Sequence, residues 1–110
     1  MARGIVYYQD VPAGIIELEA TGYIFTYSDS YLADAELPAI SLTLPKRREP
    51  YHSDILFPFF FGLLAEGTTK EIQCQELKID ANDHFTRLLK TAGVDTIGPV
   101  TVREVKDEHM

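Results

Sequence analysis

The order of its periodic segments predicts an α+β domain: a small, mostly antiparallel sheet, about three helices packed on one face, and a final strand returning to the sheet. Three observations carry this. Residues 4–27 alternate apolar and polar side chains between turn residues, the period of half-buried strands. Residues 53–93 change to helical spacing, with capping and stop residues at intervals. Near the end, Val100 and Val102 alternate with Thr101 and Arg103. Strands grouped first and helices second imply segregated layers rather than a βαβ sheet.

The first strand is expected over Gly4 to Gln9, rich in β-branched and aromatic residues. Asp10-Val11-Pro12-Ala13-Gly14 has turn chemistry, with Pro fixing φ and Gly tolerating positive φ. From Gly14 to Ala20, Ile16, Leu18 and Ala20 share one face, and Ile15, Glu17 and Glu19 the other. Gly22 permits the next reversal, after which Tyr23, Phe25 and Tyr27 share a face. One helical turn near Tyr31 and Leu32 is followed by an expected fourth strand, Ala39 to Leu44, with Ile40, Leu42 and Leu44 inward. Residues 45–52 read as a loop with two prolines and the basic run Lys46-Arg47-Arg48.

Ser53 or Asp54 is placed to cap a helix reaching Ala65, unless Pro58 delays its start to Phe57. Gly67 is its stop, and Thr68 with Glu71 has capping-box spacing for a second helix to Leu77. Asp80 or Asn82 is the expected cap of a third, with Phe85, Leu88, Leu89 and Ala92 on one stripe and Gly93 as its stop. The expected core is therefore Phe57, Phe60, Leu64, Phe85, Leu88 and Leu89 from helices, with Ile16, Leu18, Phe25, Ile40, Leu42, Val100 and Val102 from the sheet. Residues 1–105 form one domain in this reading, and 106–110 a polar tail.

A chain of 110 residues holds one core, which leaves no room for a complete kinase or dehydrogenase. The net charge of −7 repels phosphate backbones and argues against direct nucleic-acid binding. A single cysteine forbids an internal disulfide and suits a reducing, cytoplasmic setting; no stretch has signal-peptide or membrane-span character.

Catalytic patterns are missing from the sequence. It has no G-x-S-x-G, H-E-x-x-H, C-x-x-C or phosphate-binding glycine loop. His52 beside Ser53 is better read as a loop histidine next to a helix cap than as a base with its nucleophile. Cys74 reads as a half-buried structural thiol. His84 falls in a first helical turn and His109 in the tail, so the histidines do not form a metal-ligand cluster. No acidic pair sits in an apolar pattern suited to general acid–base work. Neither cofactor nor metal is expected.

Four blocks then resemble the N-terminal subdomain of HipA-like kinase toxins. Ala39-Ile40-Ser41-Leu42-Thr43-Leu44-Pro45 is similar to a Ser/Leu segment ending in Pro. Residues 57–67, Phe-Pro-Phe-Phe-Phe-Gly-Leu-Leu-Ala-Glu-Gly, resemble the family's Phe-Phe-x-x-Leu-Leu-Pro-Glu-Gly block. Asp83 to Leu89 and Asp95 to Val100 resemble its last helix and final strand. Ala65 stands where the family usually has Pro, and Thr68-Thr69 where members often carry an aromatic residue.

The family's phosphoryl-transfer residues lie after this subdomain and have no positions here to be carried onto. The resemblance therefore implies a free-standing, non-catalytic small subunit. Its expected partner is a HipA-like kinase lacking this subdomain, which it would neutralise as an antitoxin. The alternative is an assembly module, for dimerisation or for a complex with a helix-turn-helix repressor that itself holds the DNA.

Three successive phenylalanines cannot all face one core on a helix. With Phe57, Phe60 and Leu64 inward, Phe59 is expected either outward, close to the Glu66-Gly67-Thr68 corner where the resemblance puts a contact with the kinase, or packed under the Lys46–His52 loop. The expected partner surface is Phe59, Leu63, Glu66, Thr68 and Thr69, with Lys70 at its rim.

Overall fold

Apolar residues alternating on one face of each strand build a single five-stranded antiparallel sheet, in the order β4-β3-β2-β1-β5. The computed structural model describes residues 2–93 and 98–105. The strands are β1 (Ala2–Tyr8), β2 (Val11–Glu19), β3 (Gly22–Tyr27), β4 (Tyr51–Ser53) and β5 (Val100–Glu104). The helices are α1 (Asp29–Ala33), α2 (Pro58–Phe61), α3 (Gly67–Leu77) and α4 (His84–Thr91). The architecture is the expected α+β one, with helices on one face and the last strand returned to the sheet beside the first.

The first reversal is tighter than expected. Gln9 and Asp10 alone form the turn, both at positive φ (46° and 68°), the handedness that suits a two-residue hairpin. Val11 and Pro12 already belong to β2, and Pro12 lies opposite Tyr7 where the register with β1 shifts. β3 reaches only as far as Gly14, so the missing Pro12 N–H interrupts no ladder on that side. Gly14 thus lies inside a strand rather than in a turn. A Cβ there would come within 2.3 Å of the Thr26 carbonyl oxygen.

The core fills the space between one sheet face and the helices. Val6, Ile16, Phe25, Phe60, Leu88 and Val102 are fully buried. Phe25 meets Tyr27 edge-on at 4.9 Å and Phe60 tilted at 5.6 Å, favourable aromatic geometries. α4 contributes its whole apolar stripe of Phe85, Leu88 and Leu89, continued by Ala92. It lies close over β1 because Gly4 has no side chain; a Cβ there would sit 2.7 Å from Leu89 Cδ2. The Ala92 carbonyl accepts the Val102 N–H at 2.9 Å, and Lys90 pairs with Glu104 at 2.6 Å. α4 thereby covers part of the outer edge of β5, while the other edge strand is only three residues long.

The expected strand at 39–44 does not form. Ile40 and Leu44 are buried, but Leu42 between them is fully exposed. The Tyr27 hydroxyl accepts the Ile40 N–H at 3.0 Å and donates to the Leu44 carbonyl. Ser41 closes a tight turn in between, its carbonyl accepting Leu44 N–H at 3.1 Å and its hydroxyl meeting Thr43 at 3.0 Å. Alternation survives as two anchors around a loop tip. The fourth strand is instead Tyr51–Ser53, in the segment read as a loop. Leu18, expected in the core, is only half-buried and packs at its margin.

The helix expected over 53–65 shrinks to α2. Pro58 occupies its first turn, and Gly62 follows as its C-cap. Ser53 and Asp54 lie before it; the Ser53 hydroxyl accepts the Ile55 N–H in a local turn. Gly67, expected as a stop, is the first residue of α3 at φ 62°, with Glu66 in the N-cap position, so Thr68 is inside the helix and the capping box is not made. The cap of α4 is Asp83, whose carboxylate accepts Thr86 N–H at 3.1 Å. Asp80 accepts Asn82 N–H in the turn before it. The expected tail 106–110 and the Asp95-Thr96-Ile97 part of the last block lie outside the described residues.

Candidate interaction site

The corner joining α2 to α3 stands out from the rest of the helical layer. α3 has no buried residue, and Ile72 and Leu77 on it are each half-exposed at 49%. Its sequence has no apolar stripe, so it lies against the domain without burying a face. The corner before it, Phe61 to Gly67, is shaped by the opposite tendency. Phe60 and Leu64 are pulled into the core, and the backbone between them turns sharply through Leu63 N–H to Phe60 C=O and Leu64 N–H to Phe61 C=O.

The expected surface residues fall as follows. Glu66, Thr68 and Thr69 are exposed, and Lys70 and Leu63 are half-buried. Leu63, Glu66 and Thr69 line one hollow of about 300 Å³, with Gln73 and Thr91. Glu66 and Lys70 line a second of about 220 Å³, with Phe61, Leu64, Ala65, Gly67 and Arg87. Phe59 is not outward: it is half-buried against the core and meets Phe60 edge-on at 5.3 Å. The exposed phenylalanine is Phe61, 43% accessible, which packs edge-on over His84 at 5.0 Å. The short α2 explains the difference. Phe57 precedes the helix at an extended ψ of 135°, so an uninterrupted 100° step from Phe57 assigns the faces wrongly.

Beside the corner is an apolar hollow of about 470 Å³ lined by Ile55, Leu56, Pro58, Phe61, Gly62 and His84. Ile55 is 67% exposed at its rim. Sequence reasoning missed this patch because Ile55 was assigned to a helix that does not form.

It also missed Arg87, the one charged residue buried among the described residues, at 3% exposure. Two positions beyond Phe85, Arg87 lies about 200° round the helix, opposite the core stripe. It is buried by the α2–α3 corner instead. Its guanidinium donates to the Ala65 carbonyl at 2.6 Å and lies 3.4 Å from His84 Nδ1. A helical wheel of α4 alone has no signal for this; the cover comes from another element.

The basic loop has mostly internal partners. Lys46 Nζ donates to the Asp34 and Leu37 carbonyls at 2.8 Å each and lies over the Tyr31 ring. Arg47 stacks on Tyr51 at 3.7 Å and donates to the Glu49 and Pro50 carbonyls. Lys46 thus ties the loop to α1 and the segment after it, and Arg47 ties it to β4. Cys74 is a half-buried free thiol. Among the described residues no group of three or more His, Cys, Asp or Glu side chains is placed to hold a metal ion. No helix among them is long and apolar enough to cross a membrane.

Residues 4–103 match the HipA N-terminal domain family, and the chain belongs to that family. Among solved structures, an N-terminal domain of HipA toxin superposes with a TM-score of 0.72 at 28% identity, covering 98% of this chain and 96% of that one. An uncharacterised protein of Haemophilus influenzae is 34% identical over 93 residues, 84% of this chain and 83% of its own length. A putative kinase of Sinorhizobium fredii is 36% identical over 74 residues, which are 67% of this chain but only 17% of that protein. The resemblance in the four sequence blocks is thus to the correct family, and the match is confined to its N-terminal domain.

Proposed function

We propose that this chain is a non-catalytic regulatory subunit that binds and neutralises a HipA-like serine/threonine kinase lacking this subdomain. The observation that carries the reading is one of proportion. The chain superposes on nearly the whole of a HipA N-terminal domain, whereas the stretch it shares with the putative kinase is 17% of that protein. On this reading, a domain that forms a minor part of a kinase acts as a separate partner for the remainder. The α2–α3 corner supplies a suitable surface: Leu63, Glu66, Thr68, Thr69 and Lys70 around two hollows, backed by Phe59. The adjoining Ile55 and Phe61 add the apolar anchors on which interface energy concentrates.

The test is a kinase assay. A HipA-like kinase without this subdomain is purified, and its autophosphorylation is followed with and without the full chain. Saturable loss of activity near equimolar ratio is the expected result. Phe61→Ala and Thr68→Glu should each raise the required concentration at least fivefold. A stable complex with undiminished activity would refute neutralisation and favour the assembly role; no complex at all would refute both.

A further inference from the structure

We propose that the hollow between the α2–α3 corner and α4 is a binding site for a small oxyanion, a phosphate or carboxylate group, gripped by Arg87 and Lys70. The inference does not depend on the kinase reading, because it starts from a buried charge. Arg87 is 97% buried, yet no carboxylate among the described residues pairs with its guanidinium. Its two contacts are the Ala65 carbonyl oxygen and the His84 ring nitrogen Nδ1, neither of them an anion. A guanidinium has five N–H donors, and buried cations are almost always compensated by an anion. Here the cation lines a hollow of about 220 Å³, large enough for a phosphate or carboxylate group.

Two further features of that hollow have the same sign. Lys70 lines it, and its side chain makes no hydrogen bond or ion pair among the described residues. The hollow also meets the start of α3 at Gly67, where no side chain caps the helix. The first-turn N–H groups have no intrahelical acceptor and carry the positive end of the helix dipole. Gly67 has open space where a Cβ would be. The opposing group is Glu66 at the mouth, which is exposed and free to turn toward water. Arg87 with Lys70 supplies two positive charges against this one negative charge, with His84 as the remaining titratable neighbour.

The full chain, labelled with 15N, is titrated with sodium phosphate and separately with sodium acetate, against sodium chloride at matched ionic strength. Saturable shifts are expected at Arg87 Nε–H and at the amides of Gly67, Thr68 and Thr69. Lys70→Gln, a half-exposed position where folding is not at stake, should weaken binding about two- to fivefold. Glu66→Gln should tighten it. Arg87→Lys, which keeps the charge but loses the fork, should abolish saturation. Tighter phosphate than acetate binding identifies a phosphoryl ligand, and the reverse order a carboxylate; both support the site. Shifts no different from the chloride control, or a Lys70→Gln protein that titrates like the parent, would overturn it and leave Arg87 as a tie to the Ala65 carbonyl.

Discussion

Replacing Tyr27 by phenylalanine removes a single oxygen and tests how the segment from Ile40 to Leu44 is held. That oxygen accepts the Ile40 N–H at 3.0 Å and donates to the Leu44 carbonyl, and the side chain is 3% exposed. Its loss leaves a buried N–H without a partner, costing about 1–3 kcal/mol, and a carbonyl short of one bond worth about 1 kcal/mol. The two are coupled through one turn, so we expect ~2–3 kcal/mol in total. With a urea m-value of about 1–2 kcal/mol/M for a small domain, the unfolding midpoint should fall by about 1–3 M. The Ile40 amide should also lose its protection against hydrogen exchange.

The same variant has a pH signature. Burial, opposed by the Ile40 N–H and helped to a smaller extent by the neighbouring Tyr51 and Tyr31 hydroxyls, pushes the Tyr27 hydroxyl up to about 12. Below pH 10 it is protonated in both folded and unfolded chains and contributes no slope. Between pH 10 and about 12 the unfolded chain releases a proton that the folded chain retains, so stability falls as pH rises, by about 2 kcal/mol. Tyr23 and Tyr31 are raised in the same direction by burial. Tyr27→Phe should therefore flatten the alkaline limb without removing it. An unchanged urea midpoint, or an Ile40 amide still protected, would refute this account of the loop.

The other expectations are simpler. Phe60→Ala empties a fully buried position in contact with Phe25, Phe57 and Phe59; a loss of about 3–5 kcal/mol in chemical denaturation is expected. Phe61→Ala, at a half-exposed ring, should cost less than about 1 kcal/mol in the same assay, and the reverse ranking would show that the faces of α2 are misdrawn. Gly14→Ala forces a Cβ against the Thr26 carbonyl, so its thermal midpoint should drop by several degrees or the protein should fail to fold. Calorimetry with Mg-ATP should register no binding to the isolated chain, and micromolar binding would contradict the non-catalytic reading.

The sequence was most legible where one periodicity ran unopposed. The α4 stripe was correct residue by residue, because eight helical positions place Phe85, Leu88 and Leu89 on one side whatever lies above them. The alternation in β3 was nearly as direct, whereas in β2 it held for Ile16 and faded at Leu18 and Ala20. Legibility failed where distant groups decide the local backbone. Ile40 and Leu44 alternate as a strand would, but a tyrosine hydroxyl from β3 turns them into two pegs. Ser53 has the chemistry of a cap, yet Pro58 and Gly62 confine α2 to four residues. At the candidate site, the corner was located from its resemblance to the family, and two hollows lie there. The exposed Phe61 and the buried Arg87 were invisible, since each depends on an element remote in sequence from its own.

The position of β5 also bears on how the chain acquires its structure. β1 pairs with β2 across a two-residue turn, so the meander of β1, β2 and β3 closes through short loops. The pairing of Val6 with Val102 and of Tyr8 with Val100 joins opposite ends of the domain. During synthesis, the meander must wait with one edge of β1 unpaired and Val6 without its neighbour until almost the whole domain has been made. That interval is when another chain's strand competes for the same edge. Locking β5 to both β1 and the end of α4 makes the last step the one that removes the hazard, and slow translation before Val100 should lengthen it.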